Sequence, residues 1–115
     1  MNTQEVTIVS DEFEFDGRKY DCELAIKLDT KSIIREAKDS HAGSFEEQYD
    51  EQSLRPDKAR IYIQDGTPVY CMIIYIINYK DEKGGRYACG NYYPFTPCTE
   101  KVLVAPHPYQ ASICW

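Results

Sequence analysis

One segment, residues 69–80, constrains the fold more than any other part of the sequence. Apolar side chains occupy both of its alternating sets of positions: Val69, Cys71, Ile73, Tyr75, Ile77 and Tyr79 in one set, and Tyr70, Met72, Ile74 and Ile76 in the other. Successive side chains of a β-strand point to opposite faces of its sheet, so neither face of this strand would be polar. Such a strand lies inside a sheet that is covered on both sides. We expect helices to cover one face, and a second layer of sheet or another copy of the chain to cover the other.

A β-hairpin is predicted near the amino terminus, with its turn at Asp16-Gly17. The Asp-Gly pair is favoured in two-residue turns because both positions adopt positive φ. Phe13 and Phe15 alternate with acidic residues before the turn, which is the periodicity of a half-buried strand. The turn sets the pairing of the two strands: Phe13 with Tyr20 and Glu14 with Lys19.

The return strand of this hairpin is predicted to continue to Leu28. Apolar residues keep the same alternation over this stretch and would all face inward: Tyr20, Cys22, Leu24, Ile26 and Leu28. A strand of this length would pair with the segment before the turn and bury one apolar face.

Two helices are predicted after this strand. From Thr30 the apolar residues take a helical spacing, and Gly43 would end the first helix. A second, short helix is predicted from Ser44, because Ser44 and Glu47 have the spacing of a capping box. Arg55-Pro56 would end it, since proline cannot continue a helix.

The rest of the chain is predicted to form strands at residues 59–64, 69–80, 87–93 and 101–105. Tight turns connect most of them, which favours antiparallel pairing. A chain of 115 residues has the size of one domain. We therefore predict a single α+β domain over residues 1–115. It contains a mainly antiparallel β-sheet with an N-terminal hairpin, and one or two short helices inserted at about residues 30–55.

Net charge disfavours one class of function. The chain carries 13 Lys and Arg against 19 Asp and Glu, a formal charge of −6, which argues against a protein that binds DNA or RNA by neutralising phosphates. The charge is uneven: residues 1–57 hold 15 acidic and seven basic residues, and residues 58–115 hold four acidic and six basic. An electrostatic contact with a basic partner would therefore come from the first half.

The predicted compartment is the cytoplasm. The amino terminus shows no secretory signal pattern, and the longest apolar-rich stretch, residues 69–79, has about half of the ~20 residues that a membrane helix needs. The five cysteines are irregularly spaced. We interpret them as reduced thiols, because short disulfide-stabilised domains are denser in cysteine and are usually secreted.

No catalytic, cofactor or metal site is assigned. A zinc site drawn from Cys89, Cys98, His107 and Cys114 lacks the close ligand pairs that zinc sites use. His107 lies between two prolines and is interpreted as a loop residue rather than as a base for a cysteine nucleophile. The glycines of residues 83–86 precede strand-like residues, so they indicate a turn and not a phosphate-binding loop.

Two functional hypotheses follow. The first is a small acidic intracellular interaction protein that binds and modulates, most simply inhibits, a larger protein or complex, of the phage or bacterial-competition type. Its candidate binding residues are two groups: the acidic Glu46, Glu47, Asp50 and Glu51, and the back-half residues Tyr87, Tyr92, Tyr93, Phe95, His107 and Tyr109. The acidic group would attract a protein with a basic surface. A homo-oligomer, most simply a homodimer, is also considered as a way to cover residues 69–80.

The alternative is a protein that binds a small molecule or nucleotide, with or without enzymatic activity. Its pocket would lie between the tyrosine-rich strands and residues 94–108. The tyrosines could also stack on nucleobases, but the basic groove that accompanies such stacking is not evident in the sequence.

Overall fold

The computed structural model describes residues 2–95, apart from Ala42 and the side chain of His41. Several predictions fall on residues 96–115 and lie outside the described residues. They are the strand at residues 101–105 and the loop that contains His107 and Tyr109.

The described chain forms one six-stranded antiparallel sheet and two helices. The strands are β1 (Asn2–Val9), β2 (Glu12–Phe15), β3 (Arg18–Asp21), β4 (Tyr49–Gln64), β5 (Thr67–Tyr79) and β6 (Gly85–Pro94), and the helices are α1 (Glu23–His41) and α2 (Phe45–Gln48). The strand order is β3-β2-β1-β4-β5-β6, and every neighbouring pair is antiparallel. The predicted α+β fold is confirmed.

The amino-terminal hairpin forms with the predicted register. Phe13 pairs with Tyr20, and Glu14 pairs with Lys19. Asp16 and Gly17 have φ of 51° and 77°, as the two-residue turn requires.

The prediction that the return strand reaches Leu28 is wrong. β3 ends at Asp21 and α1 begins at Glu23. The Asp21 carboxylate accepts a hydrogen bond from the backbone N–H of Glu23 at 2.9 Å, which satisfies one of the free donors at the start of the helix. Because the chain turns from strand to helix here, Leu24 and Leu28 lie on a helix and not on the inner face of a sheet.

Helix α1 has 19 residues, so it is longer and begins earlier than the predicted helix. Its buried residues follow helical spacing and form one stripe: Ala25, Ile26, Asp29, Ile33 and Ala37. This stripe packs on the face of the sheet that carries Ile61, Ile73 and Tyr93. The helix therefore forms the second layer of the domain.

Helix α2 is a single turn, and the chain passes directly into β4 at Tyr49. The Ser44 side chain makes no capping hydrogen bond. Arg55 and Pro56 lie inside β4 rather than at a helix end, so that part of the prediction is wrong. Pro56 is tolerated because it lies between two register shifts in the pairing of β4 with β5, where the ladder is already interrupted.

Strand β5 confirms the interpretation of residues 69–80. Cys71, Ile73 and Tyr75, on the face towards α1, are fully buried. On the opposite face Met72 is 2% and Ile74 is 7% exposed. The strand lies between β4 and β6 and not at an edge. Its centre is thus covered on both sides.

Candidate interaction surface

The outward side of α1 carries two exposed leucines followed by two cations. Leu24, Leu28, Lys31 and Arg35 are spaced by four, three and four residues, which places them in one line along a helix. Leu24 is 59% and Leu28 is 42% exposed. We name these four residues the α1 ridge. The two leucine side chains adjoin one turn apart and form a small continuous apolar surface.

A shallow groove runs beside the α1 ridge, between α1 and β4. It has a volume of about 540 Å³ and is lined by Thr30, Lys31, Ile34, Arg35, Lys38 and Glu51. Ile34 gives it an apolar floor. Within the part of the chain that the structure describes, Lys31 and Arg35 form no salt bridge. The groove therefore offers two unpaired cations beside apolar surface.

The four acidic residues predicted from the sequence lie together at α2 and the start of β4. Lys38 of α1 binds two of them, with its Nζ 3.3 Å from Glu46 and 3.1 Å from Glu51. Hydrogen bonds to Glu51 and Glu46 raise the pKa of Lys38. Glu47 and Asp50 form no salt bridge among the described residues. We name Glu46, Glu47, Asp50 and Glu51 the acidic patch; two of its carboxylates are already paired within the chain.

The described members of the predicted aromatic group, Tyr87, Tyr92, Tyr93 and Phe95, do not form one exposed surface. Tyr93 and Phe95 are buried in the core, where the Phe95 ring lies 4.9 Å from that of Tyr20. Tyr87 is exposed, and Tyr92 is half-buried on the face of the sheet opposite α1. His107 and Tyr109 lie outside the described residues. Burial thus removes Tyr93 and Phe95 from a direct binding role.

The face of the sheet opposite α1 carries a tyrosine cluster. The ring centroids of Tyr62 and Tyr92 are 5.5 Å apart, and those of Tyr70 and Tyr92 are 6.4 Å apart. The neighbouring cation Arg60 donates a hydrogen bond to Glu5 at 3.0 Å. Because Arg60 pairs with Glu5, it does not provide the free positive charge that phosphate binding beside stacked bases would need.

The most unusual group in the core is Asp29, which sequence reasoning missed. Its side chain is fully buried on α1. The Tyr75 hydroxyl donates to Oδ2 at 2.6 Å, and the Tyr93 hydroxyl donates to Oδ1 at 2.6 Å. The backbone N–H and the side-chain amide of Asn91 both donate to Oδ1 at 3.0 Å. We name Asp29, Tyr75, Asn91 and Tyr93 the Asp29 cluster; it joins α1 to β5 and β6.

A bulge in β6 makes this cluster possible. The pairing of β5 with β6 shifts between Met72 and Ile74, so Gly90 and Asn91 together oppose one residue of β5. At such a bulge one backbone N–H is not used in the pairing of the two strands. The backbone N–H of Asn91 donates a hydrogen bond to Asp29 instead. Gly90 lies against the carboxylate, where a side chain would collide with it.

Burial sets the pKa values in this region. It raises the pKa of Asp29, against the opposing effect of the hydrogen bonds from Asn91, Tyr75 and Tyr93. Burial and the nearby Asp29 carboxylate raise the pKa of Tyr75 and of Tyr93 well above the usual range. Burial also raises the pKa of the Cys22 thiol to about 12. The Cys22 thiol and the Tyr75 and Tyr93 hydroxyls are enclosed and hold their protons, so they are not nucleophiles. The hydrogen bonds to Asp29 fasten the helix to the sheet.

The Asp29→Asn substitution should change how stability depends on pH. The folded-state pKa of Asp29 lies above the unfolded value of about 3.9, so the stability that this carboxyl contributes is full below about pH 4 and is lost as the pH rises through the folded pKa. Asparagine does not titrate. We therefore expect the free energy of unfolding of the variant, relative to the unmodified protein, to increase with pH. Urea denaturation at a series of pH values from about 4 to 8 measures this difference. A constant difference would contradict the raised pKa.

The prediction of reduced thiols is confirmed for two of the three described cysteines and is wrong for the third. Cys22 and Cys71 are free and buried, but Cys89 is disulfide-bonded. A disulfide sulfur is not a thiolate, so Cys89 offers no ligand to zinc in this state. Among the residues that the structure describes, no three side chains of the metal-ligating types are grouped to hold an ion.

Neither α1 nor α2 has both the length and the apolar character that a membrane-crossing helix needs.

The described residues form three distinct features: the α1 ridge, the adjoining acidic patch and the buried Asp29 cluster. In comparisons with protein-family models, curated proteins and solved structures, no significant match to this chain was found.

Proposed function

We propose that this protein binds and modulates another protein, and that the α1 ridge forms the centre of the interface. The observation that carries this proposal is the exposure of Leu24 and Leu28 on a helix that buries its other apolar face through Ala25, Ile26, Ile33 and Ala37. Exposed leucines at this spacing are the anchors that a helix places in an apolar groove of a partner. Burial of two leucines on association contributes about 1.5–3 kcal/mol each before the costs of association are counted.

Charge around the ridge supports the same proposal. Lys31 and Arg35 continue the line of the leucines along α1. Lys38 follows them on the same helix and binds Glu46 and Glu51 of the acidic patch. Charged groups at the rim of an interface raise the association rate and fix orientation more than they add affinity. We propose that Glu47 and Asp50 meet basic groups of the partner at this rim. The α1 ridge lies on a helix that is held to the sheet, so it is a rigid surface. We propose that the protein acts by covering a functional surface of its partner.

Capture from the native host tests the proposal. The double variant Leu24→Glu, Leu28→Glu should lose a partner that the unmodified chain retains in stoichiometric amount, because charged side chains cannot enter an apolar groove. The matched control is Val9→Glu, since Val9 is also a large exposed apolar residue but lies on β1. The control should keep the partner. Equal retention by the two variants would remove the α1 ridge from the interface.

The alternative small-molecule or nucleotide pocket gains no support from the described residues. Of residues 94–108, only Pro94 and Phe95 are described. Phe95 is buried against Phe13, Phe15 and Tyr20 rather than lining an open cavity.

A further inference from the structure

We infer that the partner segment that binds the α1 ridge is an amphipathic helix with apolar side chains at one end and carboxylates at the other. This inference rests on the proposed function and names the chemistry of the partner. From Leu24 to Arg35 the ridge spans about 16 Å, at 1.5 Å per residue of helix. A partner helix of about 12–14 residues covers that length, which is a common helix length in proteins.

The order of residues along the ridge determines the chemistry of the partner. Leu24 and Leu28 occupy the amino-terminal half, and Lys31 and Arg35 follow in the carboxy-terminal half. Apolar groups of the partner must therefore lie over the leucines, and negative groups must lie over the cations. Ile34, on the floor of the adjoining groove, gives the partner a second apolar contact beside the charged half.

A second copy of the chain does not fit this ridge. If two ridges pack in a parallel orientation, Lys31 and Arg35 of one copy face the same cations of the other. If they pack antiparallel, the cations of each copy lie over the leucines of the other, and the carboxylate beside those leucines, Glu23, already pairs with Lys27 of its own helix. Like charges in contact and unpaired charges on apolar surface are both unfavourable. The ridge thus favours a different protein as its partner.

The surroundings of the ridge also favour carboxylates over a phosphate polymer. Acidic side chains flank it on both sides: Glu23, Glu36 and Asp39 are exposed, and Glu51 is half-buried. With a net charge of −6, the chain as a whole repels nucleic acid and anionic lipid. A peptide helix places a few carboxylates over Lys31 and Arg35 only, and it avoids the flanking acids.

Synthetic peptides test this inference directly. The probe is a 14-residue helical peptide with leucines in one half and glutamates in the other, made in both sequence orders because the partner can lie parallel or antiparallel to α1. We expect one order to bind the full chain. The double variant Lys31→Glu, Arg35→Glu should weaken that binding by about tenfold, which is the effect of losing two exposed charge pairs. The same variant should gain binding to a peptide in which lysines replace the glutamates.

Lys83→Glu removes an exposed cation of the β5–β6 turn and should leave peptide affinity unchanged. Absence of peptide binding to the unmodified chain, or equal binding by the charge-reversed variant, would overturn the inference. Binding of single-stranded RNA or of phosphatidylserine vesicles that depends on Lys31 and Arg35, in place of peptide binding, would also overturn it. If Leu24→Glu, Leu28→Glu abolishes capture from the host while charge reversal has no effect on capture or peptide binding, the proposed function stands and this inference falls.

Discussion

The Asp29→Ala variant is expected to lose about 3–5 kcal/mol of the free energy of unfolding, a large part of the stability of a domain this size. Alanine removes the acceptor of four hydrogen bonds at once. The Tyr75 hydroxyl and the Asn91 backbone N–H would be left in the core without this acceptor. Each buried donor that loses its acceptor costs about 1–3 kcal/mol.

Two effects reduce this loss. Removal of a buried carboxylate also removes the cost of its desolvation, which is the effect that raises its pKa. The Tyr93 hydroxyl lies 3.3 Å from the carbonyl oxygen of Ala25 and can donate there instead. We expect the unsatisfied donors to dominate, because they belong to three residues on two strands and cannot all turn to new acceptors.

The matched control is Asp29→Asn. Its side-chain oxygen can accept from Asn91 and Tyr93, and its amide can donate to the Tyr75 hydroxyl, so all partners are kept without a charge. Urea denaturation followed by circular dichroism compares the three proteins. We expect the asparagine variant to lie within about 1 kcal/mol of the unmodified chain at neutral pH, and the alanine variant well below both. If alanine and asparagine are equally tolerated, the hydrogen bonds of the cluster do not hold α1 to the sheet.

The elements that could be predicted from the sequence are those whose cause is local. Asp16-Gly17 adopts the positive φ values that a two-residue turn demands, and Asp65-Gly66 does the same, with φ of 51° and 78°. The extended state of β5 follows from its own continuous apolar run, which is rich in isoleucine and tyrosine. In these cases the residues that decide the structure lie within a few positions of one another.

The start of α1 could not be predicted in this way because residues 20–28 fit two periods. Counting every second residue selects Leu24 and Leu28 as inward-facing, whereas helical spacing selects Ala25 and Asp29. The second choice is the observed one, and it agrees with the cap from Asp21 at the start of the helix. A strand period of two places Leu24 and Leu28 in the core. The α1 ridge therefore cannot be recognised from the sequence until these residues are known to be helical.

The Asp29 cluster is invisible in the sequence for a different reason. Its hydrogen bonds join residues 46 to 64 positions apart. The bulge that supplies Asn91 also depends on pairing with β5, which no local pattern specifies. The acidic patch shows both cases: its four members are close in sequence and were predicted, but the pairing with Lys38 depends on how α1 packs beside α2.

Gly90→Ala is the second substitution with a large expected effect. It tests the Asp29 cluster by a change in strand β6, next to the Asp29 carboxylate. A Cβ at Gly90 would lie 2.6 Å from Cγ of Asp29 and closer still to Oδ2. The φ of Gly90 lies outside the left-handed region, so alanine meets no backbone penalty here. Asp29 is held by four hydrogen bonds and cannot move aside without breaking some of them. We expect a loss of about 3 kcal/mol, at the upper end of the usual cost of overpacking.

A double-mutant cycle separates this collision from any other effect of the added methyl group. In the Asp29→Ala background the carboxylate is absent, so Gly90→Ala should cost less than about 1 kcal/mol or should stabilise slightly, because alanine restricts the unfolded chain more than glycine does. If Asp29→Ala is too unstable for urea titration, Asp29→Ser provides a smaller side chain in the same position for the cycle. An equal cost of Gly90→Ala in both backgrounds would mean that the methyl group strains the bulge itself. In that case the close approach of Gly90 to Asp29 would not be the reason that β6 has a glycine at this position.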